Sequence, residues 1–309
     1  MKPFMNTFRL YYPVHTLDNQ LLLPAGSVLS TETLEDLISL NNSTSNQTYP
    51  LLEYGMVKHD LLHQMSRPPY DLIFSGQEKI AEVMTMLEKV YLVIPVLQSL
   101  DYFKRDDYHT YCHVLMVFAL SALIARDVLP DYREWIEQVS IGPTHDIGKT
   151  CVPLHILKKD TPLTSAERSI LDHHTTAGYV LLSYFHRDPK NLAAIVARDH
   201  HERKDGSGKS RGIQLTDRMV EIIVVCDVYD ALISPRPYRS ASYDNRTAIE
   251  EITKMAELNK IEWEVVKSLV AHSRKAKPRP SEVKVSTVKR GTAPPLNFHG
   301  VVEEADRDS

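Results

Sequence analysis

Between Gln77 and Lys275 the apolar positions recur at helical spacing, which predicts helices near 77–101, 107–126, 131–147, 165–182, 190–203, 216–233 and 244–273. Strand signals are scarce in this span, and it holds no internal repeat. Thr164, with Glu167 three residues on and an apolar run behind it, forms a capping box, and Thr216 or Asp217 can cap the later helix. The first 90 or so residues follow a different pattern. FRLYYPV from Phe8 alternates enough for a strand, LLLPAG from Leu21 ends in a turn, and Ser30 can cap a helix running through TLEDLISL. The polar stretch Asn41 to Pro50 is a loop by composition, and RPPY at Arg67 to Tyr70 is a second break.

A length of 309 residues suggests two domains at ~150 residues each. The expected division is a small mixed α/β or α+β domain at 1–95, regulatory or docking by position, a helical domain at 96–275, and a flexible tail at 276–309. The tail expectation rests on Arg274 to Arg290, which holds seven basic residues and one acidic residue among spaced prolines. That composition reads as a solvated tail, with a phosphate or partner contact as the alternative.

With 43% hydrophobic and 25% charged residues the chain is globular in composition. Its net charge of −4 gives no general attraction to a nucleic acid polymer or an anionic membrane, so any polyanion must be met locally. The longest uncharged apolar run, Val114 to Ala125, is shorter than the ~20 residues of a spanning helix and reads as a buried helix rather than a membrane span. Three widely spaced cysteines, Cys112, Cys151 and Cys226, fit neither a disulfide framework nor a thiolate zinc site. The N-terminal MKPFMNTFRL lacks an apolar stretch and a cleavage site, so a cytoplasmic location is expected, and the N-x-S/T triplets at Asn41, Asn42 and Asn46 are chance composition.

Nine of the 14 histidines fall between His109 and His201. One histidine on an apolar face is ordinarily a satisfied core or surface residue, so the argument rests on the combination. His109 and His113 are four apart and share a helix face. His145-Asp146 follows an apolar segment at an expected helix end, where an unpaired carboxylate is costly without a cation. Asp227 has only apolar helical neighbours, and a salt bridge, a helix-internal hydrogen bond or a metal could each keep it ionised. His200-His201 lies just ahead of the turn residues Asp205 to Gly208, where both rings can aim inward. Imidazole and carboxylate without thiolate favour iron, manganese or zinc, and more than four such ligands imply more than one ion. Two ions bridged by a carboxylate can ionise a water and neutralise a phosphoryl group, which is hydrolytic chemistry.

Four motifs in order, HDIGKTCVPLHIL at His145, LTSAERSILDHHTTAG at Leu163, DHHERKDGSG at Asp199 and VVCDVYDALISPRPYR at Val224, resemble the HD superfamily of metal-dependent hydrolases. The resemblance is to its HD-GYP branch of cyclic di-GMP phosphodiesterases and covers roughly residues 100 to 272. It implies an all-helical bundle and a cytoplasmic, metal-dependent phosphodiesterase that opens cyclic di-GMP with a metal-activated hydroxide. It further implies two divalent ions, iron or manganese. His113, His145, Asp146 and Asp227 would surround one, and Asp146 would bridge to a second held by His174, His200 and His201. In the family's pattern His174, at its distance from Gly178, is the ligand rather than His173. Lys149 corresponds to a lysine that approaches a phosphate oxygen, and Arg236 and Lys209 are further candidate substrate contacts. For Arg203 and Arg239 a structural pairing is the competing reading, and His155 and His186 fall outside the pattern.

The chain departs from the family in two places. Lys209-Ser210 follows Gly208 where the family has Tyr-Pro, with Lys204 in place of an aromatic residue, and the Gly208-Lys209-Ser210 loop becomes a candidate contact for a signalling protein. His109 stands where some members carry a glutamate that supports a third ion, which favours a two-ion site with His109 as an occasional or outer ligand. Two rival functions remain: a weakly active or inactive cyclic dinucleotide receptor or interaction module, and a different HD chemistry on another phosphoester or at a di-iron centre.

Overall fold

A computed structural model describes residues 8–41, 47–129, 140–209, 211–236, 239, 241–276, 278–286 and 288–295. Residues 131–139 of the expected 131–147 helix, Ser210, and Pro237-Tyr238 lie outside this set. Among the described residues the architecture is mainly helical, with small antiparallel strand pairs confined to the first 93 residues. β1 (Phe8–Arg9) pairs with β4 (Val28–Leu29), β2 (Val14–His15) with β3 (Leu21–Leu23), and β5 (Thr48–Pro50) with β6 (Tyr91–Val93). Between them lie α1 (Thr31–Ser39), α2 (Val57–Met65) and α3 (Gln77–Leu87). Ser30 caps α1 by accepting from the Thr33 N–H.

The bundle proper is α4 (Ile94–Asp106), α5 (Tyr108–Val128), the short α6 (Leu154–Leu157), α7 (Ser165–Asp172), α8 (His174–His186), α9 (Leu192–Asp199), α10 (Arg218–Ile233), α11 (Asn245–Glu257) and α12 (Trp263–Ser273). Three expected helices are each divided in two. The 77–101 pattern breaks where Tyr91–Val93 pairs as a strand and Pro95 occupies the first turn of α4. The 165–182 pattern breaks at His173, and the 244–273 pattern breaks around Asn259, whose φ is 57°. Thr164 and Glu167 form the full capping box, and Asp217 rather than Thr216 caps α10, accepting from the N–H groups of Met219 and Val220.

α5 is the central rod. Its 21 residues are long and apolar enough to cross a bilayer by length and composition. From His113 to Ala125, however, every residue is buried within this chain, which accounts for its all-round apolarity as a core helix. One continuous apolar core runs from Leu10 of the N-terminal region through α5 and α10 to Val283. The N-terminal region is tied to the bundle by polar contacts as well. Asn41 Nδ2 donates to the Tyr184 carbonyl at 2.9 Å, Lys104 Nζ and Tyr111 Oη reach Asp60 Oδ2 at 2.6 and 2.7 Å, and Asn245 Nδ2 donates to the Pro69 carbonyl at 2.9 Å. Within the basic tail, Val283 is buried, and the N–H groups of Arg290 and Gly291 donate to Glu250 Oε2 on α11 at 2.8 and 2.7 Å.

The segment 142–151 consists of two 3-10 turns rather than the end of a regular helix. It lies against the start of α8 so closely that a Cβ on Gly148 would come 1.8 Å from the His174 carbonyl oxygen and 2.5 Å from the Gly178 nitrogen. Backbone cannot yield over such distances. Gly148→Ala is therefore expected to lower the unfolding free energy by about 3 kcal/mol or more in urea denaturation. Gly26→Ala, at a φ of +87° with open space around it, is expected to cost only about 1 kcal/mol. Equal stabilities for the two variants would contradict this account of the contact.

Candidate metal centre

Asp146 sits between the two 3-10 turns and is 2% exposed. Its Oδ2 lies 3.4 Å from His113 Nε2 and 3.5 Å from His145 Nε2. Its Oδ1 lies 3.5 Å from His174 Nε2 and 3.8 Å from His200 Nε2. One carboxylate thus presents its two oxygens to two different groups of imidazoles. Asp227 on α10 joins the first group, with Oδ1 3.1 Å from His113 Nε2. His201 joins the second, its ring centroid 4.2 Å from that of His200 and 5.1 Å from that of His174. The seven residues are brought together from α5, the 142–151 turns, α8, the end of α9 and α10.

The orientation of the imidazoles follows from where each stands. A helix end leaves its last carbonyls without partners. His145, His174 and His200 each follow a turn of helix, and each Nδ1 bonds the carbonyl three residues back: Gly142 at 2.9 Å, Leu171 at 2.6 Å and Ala197 at 2.9 Å. A carbonyl only accepts, so Nδ1 carries the proton and Nε2 turns an unshared pair inward. His113 lies inside α5, where the carbonyls are used by the helix, and its Nδ1 instead faces Asp230 Oδ2 at 2.6 Å. Asp230 is fully buried and also accepts from Tyr70, Ser234 and Arg236.

These tautomers leave an electrostatic demand. His145 and His113 approach through Nε2 at 3.3 Å, as do His174 and His200. Two unshared pairs cannot bond one another, and a cation between them removes the conflict. Donor atoms that share an ion at about 2.1 Å stand about 3 to 3.5 Å apart for right-angled to tetrahedral arrangements. The contacts among His113, Asp227 and Asp146, and those among His174, His200 and Asp146 Oδ1, are mostly of this size. His113, His145 and Asp146 form one group that could hold an ion, and His174, His200 and His201 form another. The residues present therefore fit metal binding.

In the metal-free chain the same demand falls on protons. Burial pushes His145 down to about 4 and His174 down to about 3, and it also holds His201 well below the ordinary imidazole value. For His113, burial and Arg236 oppose the charged form, but hydrogen bonds to Asp146, Asp227 and Asp230 outweigh them and raise it to about 10. Burial likewise opposes ionisation of Asp146 and Asp227. Lys149 and the imidazoles hold Asp146 well below the usual carboxylate range, and His113 does the same for Asp227.

The centre opens on a cavity of about 370 Å³ whose walls include His113, His174, His201 and Asp227 together with Lys149, Arg203, Arg236 and Arg239. Lys149 Nζ is 2.6 Å from Asp146 Oδ2. Arg236 pairs with Asp230 at 3.4 Å, whereas Arg239 donates to the carbonyls of Ala231 and Ser234 and Arg203 to that of Glu202. His109 lies on the cavity wall one turn before His113 and is exposed. Lys209 is not on that wall. Its N–H donates to the His201 carbonyl at 3.0 Å and its side chain is exposed, so the expected substrate contact is not part of this cavity. His155 and His186 lie outside the cluster, and His173 meets the Tyr12 ring edge-on. A second cavity of about 370 Å³ lies between Thr16, Gln98, Thr150 and Tyr184, and among the described residues no metal-binding group faces it.

Two residues carry roles that the motifs did not announce. Asp230, three positions after Asp227 on the same apolar helix, could have been found by the same question of what compensates a buried carboxylate. Glu202, fully buried, accepts from the N–H groups of Arg211 and Ile213 at 2.6 and 3.2 Å and so holds both residues next to the His201-Glu202 pair. Gly208 fits only as glycine, because a Cβ there would lie 2.3 Å from the Glu202 Cα.

Comparison with known proteins agrees with this architecture. The HD domain family matches residues 101–265. A cyclic di-GMP phosphodiesterase of Thermotoga maritima is 32% identical over 60% of this chain and 50% of its own length. Cyclic di-GMP phosphodiesterase PA4108 of Pseudomonas aeruginosa is 37% identical over 53% of this chain and 39% of its own. 3'3'-cGAMP-specific phosphodiesterase 1 of Vibrio cholerae is 39% identical over 32% of this chain and 23% of its own. The chain spans half or less of the length of these curated relatives. With the family matched across more than half of its residues and the ordered HD and HH motifs meeting around one buried carboxylate, the chain belongs to the HD-domain family.

Proposed function

We propose that this chain is a metal-dependent phosphodiesterase that hydrolyses cyclic di-GMP. The observation that carries the reading is the Asp146 carboxylate, which faces His113 and His145 with one oxygen and His174 and His200 with the other beneath a cation-lined cavity. We assign two ions, iron or manganese by the mixture of imidazole and carboxylate donors. His113, His145, Asp146 and Asp227 would hold one, and Asp146, His174, His200 and His201 the other. When bound, they supply an activated water and neutralise charge on the phosphoryl group.

The chain's own residues do the rest. Lys149 places an ammonium at the cavity wall beside Asp146, where it stabilises negative charge developing on a phosphate oxygen. Arg236 faces the same space while anchored to Asp230, so it meets a second phosphate as a fixed rather than a searching cation. The apolar wall, including Ile156, Val228 and Met255, suits the faces of nucleobases. The exposed Lys209 loop is left as a surface for a signalling partner. The Vibrio cholerae relatives make 3'3'-cGAMP the substrate to compare.

Protein of this sequence loaded with Fe²⁺ or Mn²⁺ without oxygen is expected to consume cyclic di-GMP faster than 3'3'-cGAMP, read by product chromatography. Lys149→Met is expected to lower kcat about 100-fold while metal content is kept. Intact cyclic di-GMP with both ions bound would overturn the reading in favour of a receptor. The raised His113 gives a further outcome. At pH 8 its ring is protonated in the metal-free chain, but a ligand imidazole must be neutral, so Mn²⁺ uptake is expected to release about one proton. The sign is that affinity rises with pH up to about 10. Calorimetry in buffers of different ionisation enthalpy measures the proton, and uptake without release would contradict the assignment.

A further inference from the structure

Three of the four imidazoles around Asp146 rest on main-chain carbonyls, which the fold fixes. His113 rests on Asp230, a side chain that can turn. Ser234 and Arg236 both approach Asp230 Oδ2, the oxygen that already faces His113, at 3.1 and 3.4 Å. The hydrogen bond to Oδ1 comes from the Tyr70 hydroxyl.

Tyr70 is remote in sequence and lies outside the matched domain of residues 101–265. It is 3% exposed, and its segment is pinned on both sides. Asn245 Nδ2 donates to the Pro69 carbonyl at 2.9 Å, Lys79 Nζ donates to the Ile73 carbonyl at 3.0 Å, and Ile73 and Phe74 are buried beside it. A phenol hydroxyl held in this way fixes one oxygen of a carboxylate and with it the direction of the other.

We propose that Tyr70 is a positioning residue for the ion shared by His113, His145 and Asp146. By holding Asp230 Oδ1 it keeps Oδ2 turned toward His113 Nδ1, and so keeps His113 Nε2 aimed at the cation. This rests on the metal reading given above. It makes the 67–74 segment part of the metal site, although the segment precedes the domain that carries the ligands.

Groups that orient a ligand histidine typically contribute 10- to 100-fold to metal affinity, and Tyr70 acts one bond further out. Mn²⁺ titration calorimetry on the metal-free 309-residue chain separates the possibilities. The wild type is expected to bind two ions. Tyr70→Phe is expected to weaken one of them about tenfold and leave the other within twofold, with Tyr54→Phe, at the remote Asp101 contact, unchanged. Asp230→Asn is expected to weaken the same ion at least as much. Unchanged binding in Tyr70→Phe overturns the proposal. Equal weakening of both ions also overturns it, since that is what a merely loosened fold would give. A wild type that takes up no Mn²⁺ defeats the metal reading itself and this inference with it, a failure visible before any variant is compared.

Discussion

The constraint on which the rest of the molecule depends is a single negative charge kept out of water. A carboxylate buried as deeply as Asp146 loses several kcal/mol of hydration and must recover it from fixed partners. Lys149 meets part of that demand directly. Among the imidazoles His113, raised by its hydrogen bonds to Asp146, Asp227 and Asp230, meets another part, whereas burial keeps His145 and His174 neutral and their unshared pairs point inward. The site is thus arranged for more positive charge than Lys149 and His113 supply. The close approach of Gly148 to the His174 carbonyl is what lets the turn bearing Asp146 and the helix bearing His174 share that space.

A second layer of order follows from the first. Imidazole rings become useful donors only when one nitrogen is committed elsewhere, and helix ends are the cheapest source of unpaired acceptors. This explains why the chain is cut into short helices here. His145 ends one 3-10 turn, His174 follows the end of α7, and His200 caps α9. A long regular helix would have consumed those carbonyls. His113, inside α5, is the exception that requires a buried carboxylate of its own, and through it the N-terminal region becomes coupled to the centre.

Much of this was legible in the sequence, and what was not has physical reasons. The apolar spacing of α5 and α10 exposed both long core helices because their burial is nearly complete, and the Thr164 cap marked the start of α7 because its two hydrogen bonds are local. The breaks at His173 and Asn259 were hidden, since apolar periodicity continues across a bend when both halves face the same core. The strand at Tyr91–Val93 was hidden because its pairing partner lies more than 40 residues away. The residues that meet around Asp146 could be named from motif resemblance. The tautomers, the divided carboxylate and the roles of Asp230 and Tyr70 could not, because each depends on which atoms meet in space.

Crystals grown with Mn²⁺ and measured at the manganese absorption edge test the central claim most directly. The account requires two anomalous peaks flanking the Asp146 carboxylate, one beside His113, His145 and Asp227 and one beside His174, His200 and His201. Absence of density there, or a single peak bound away from Asp146, would contradict it.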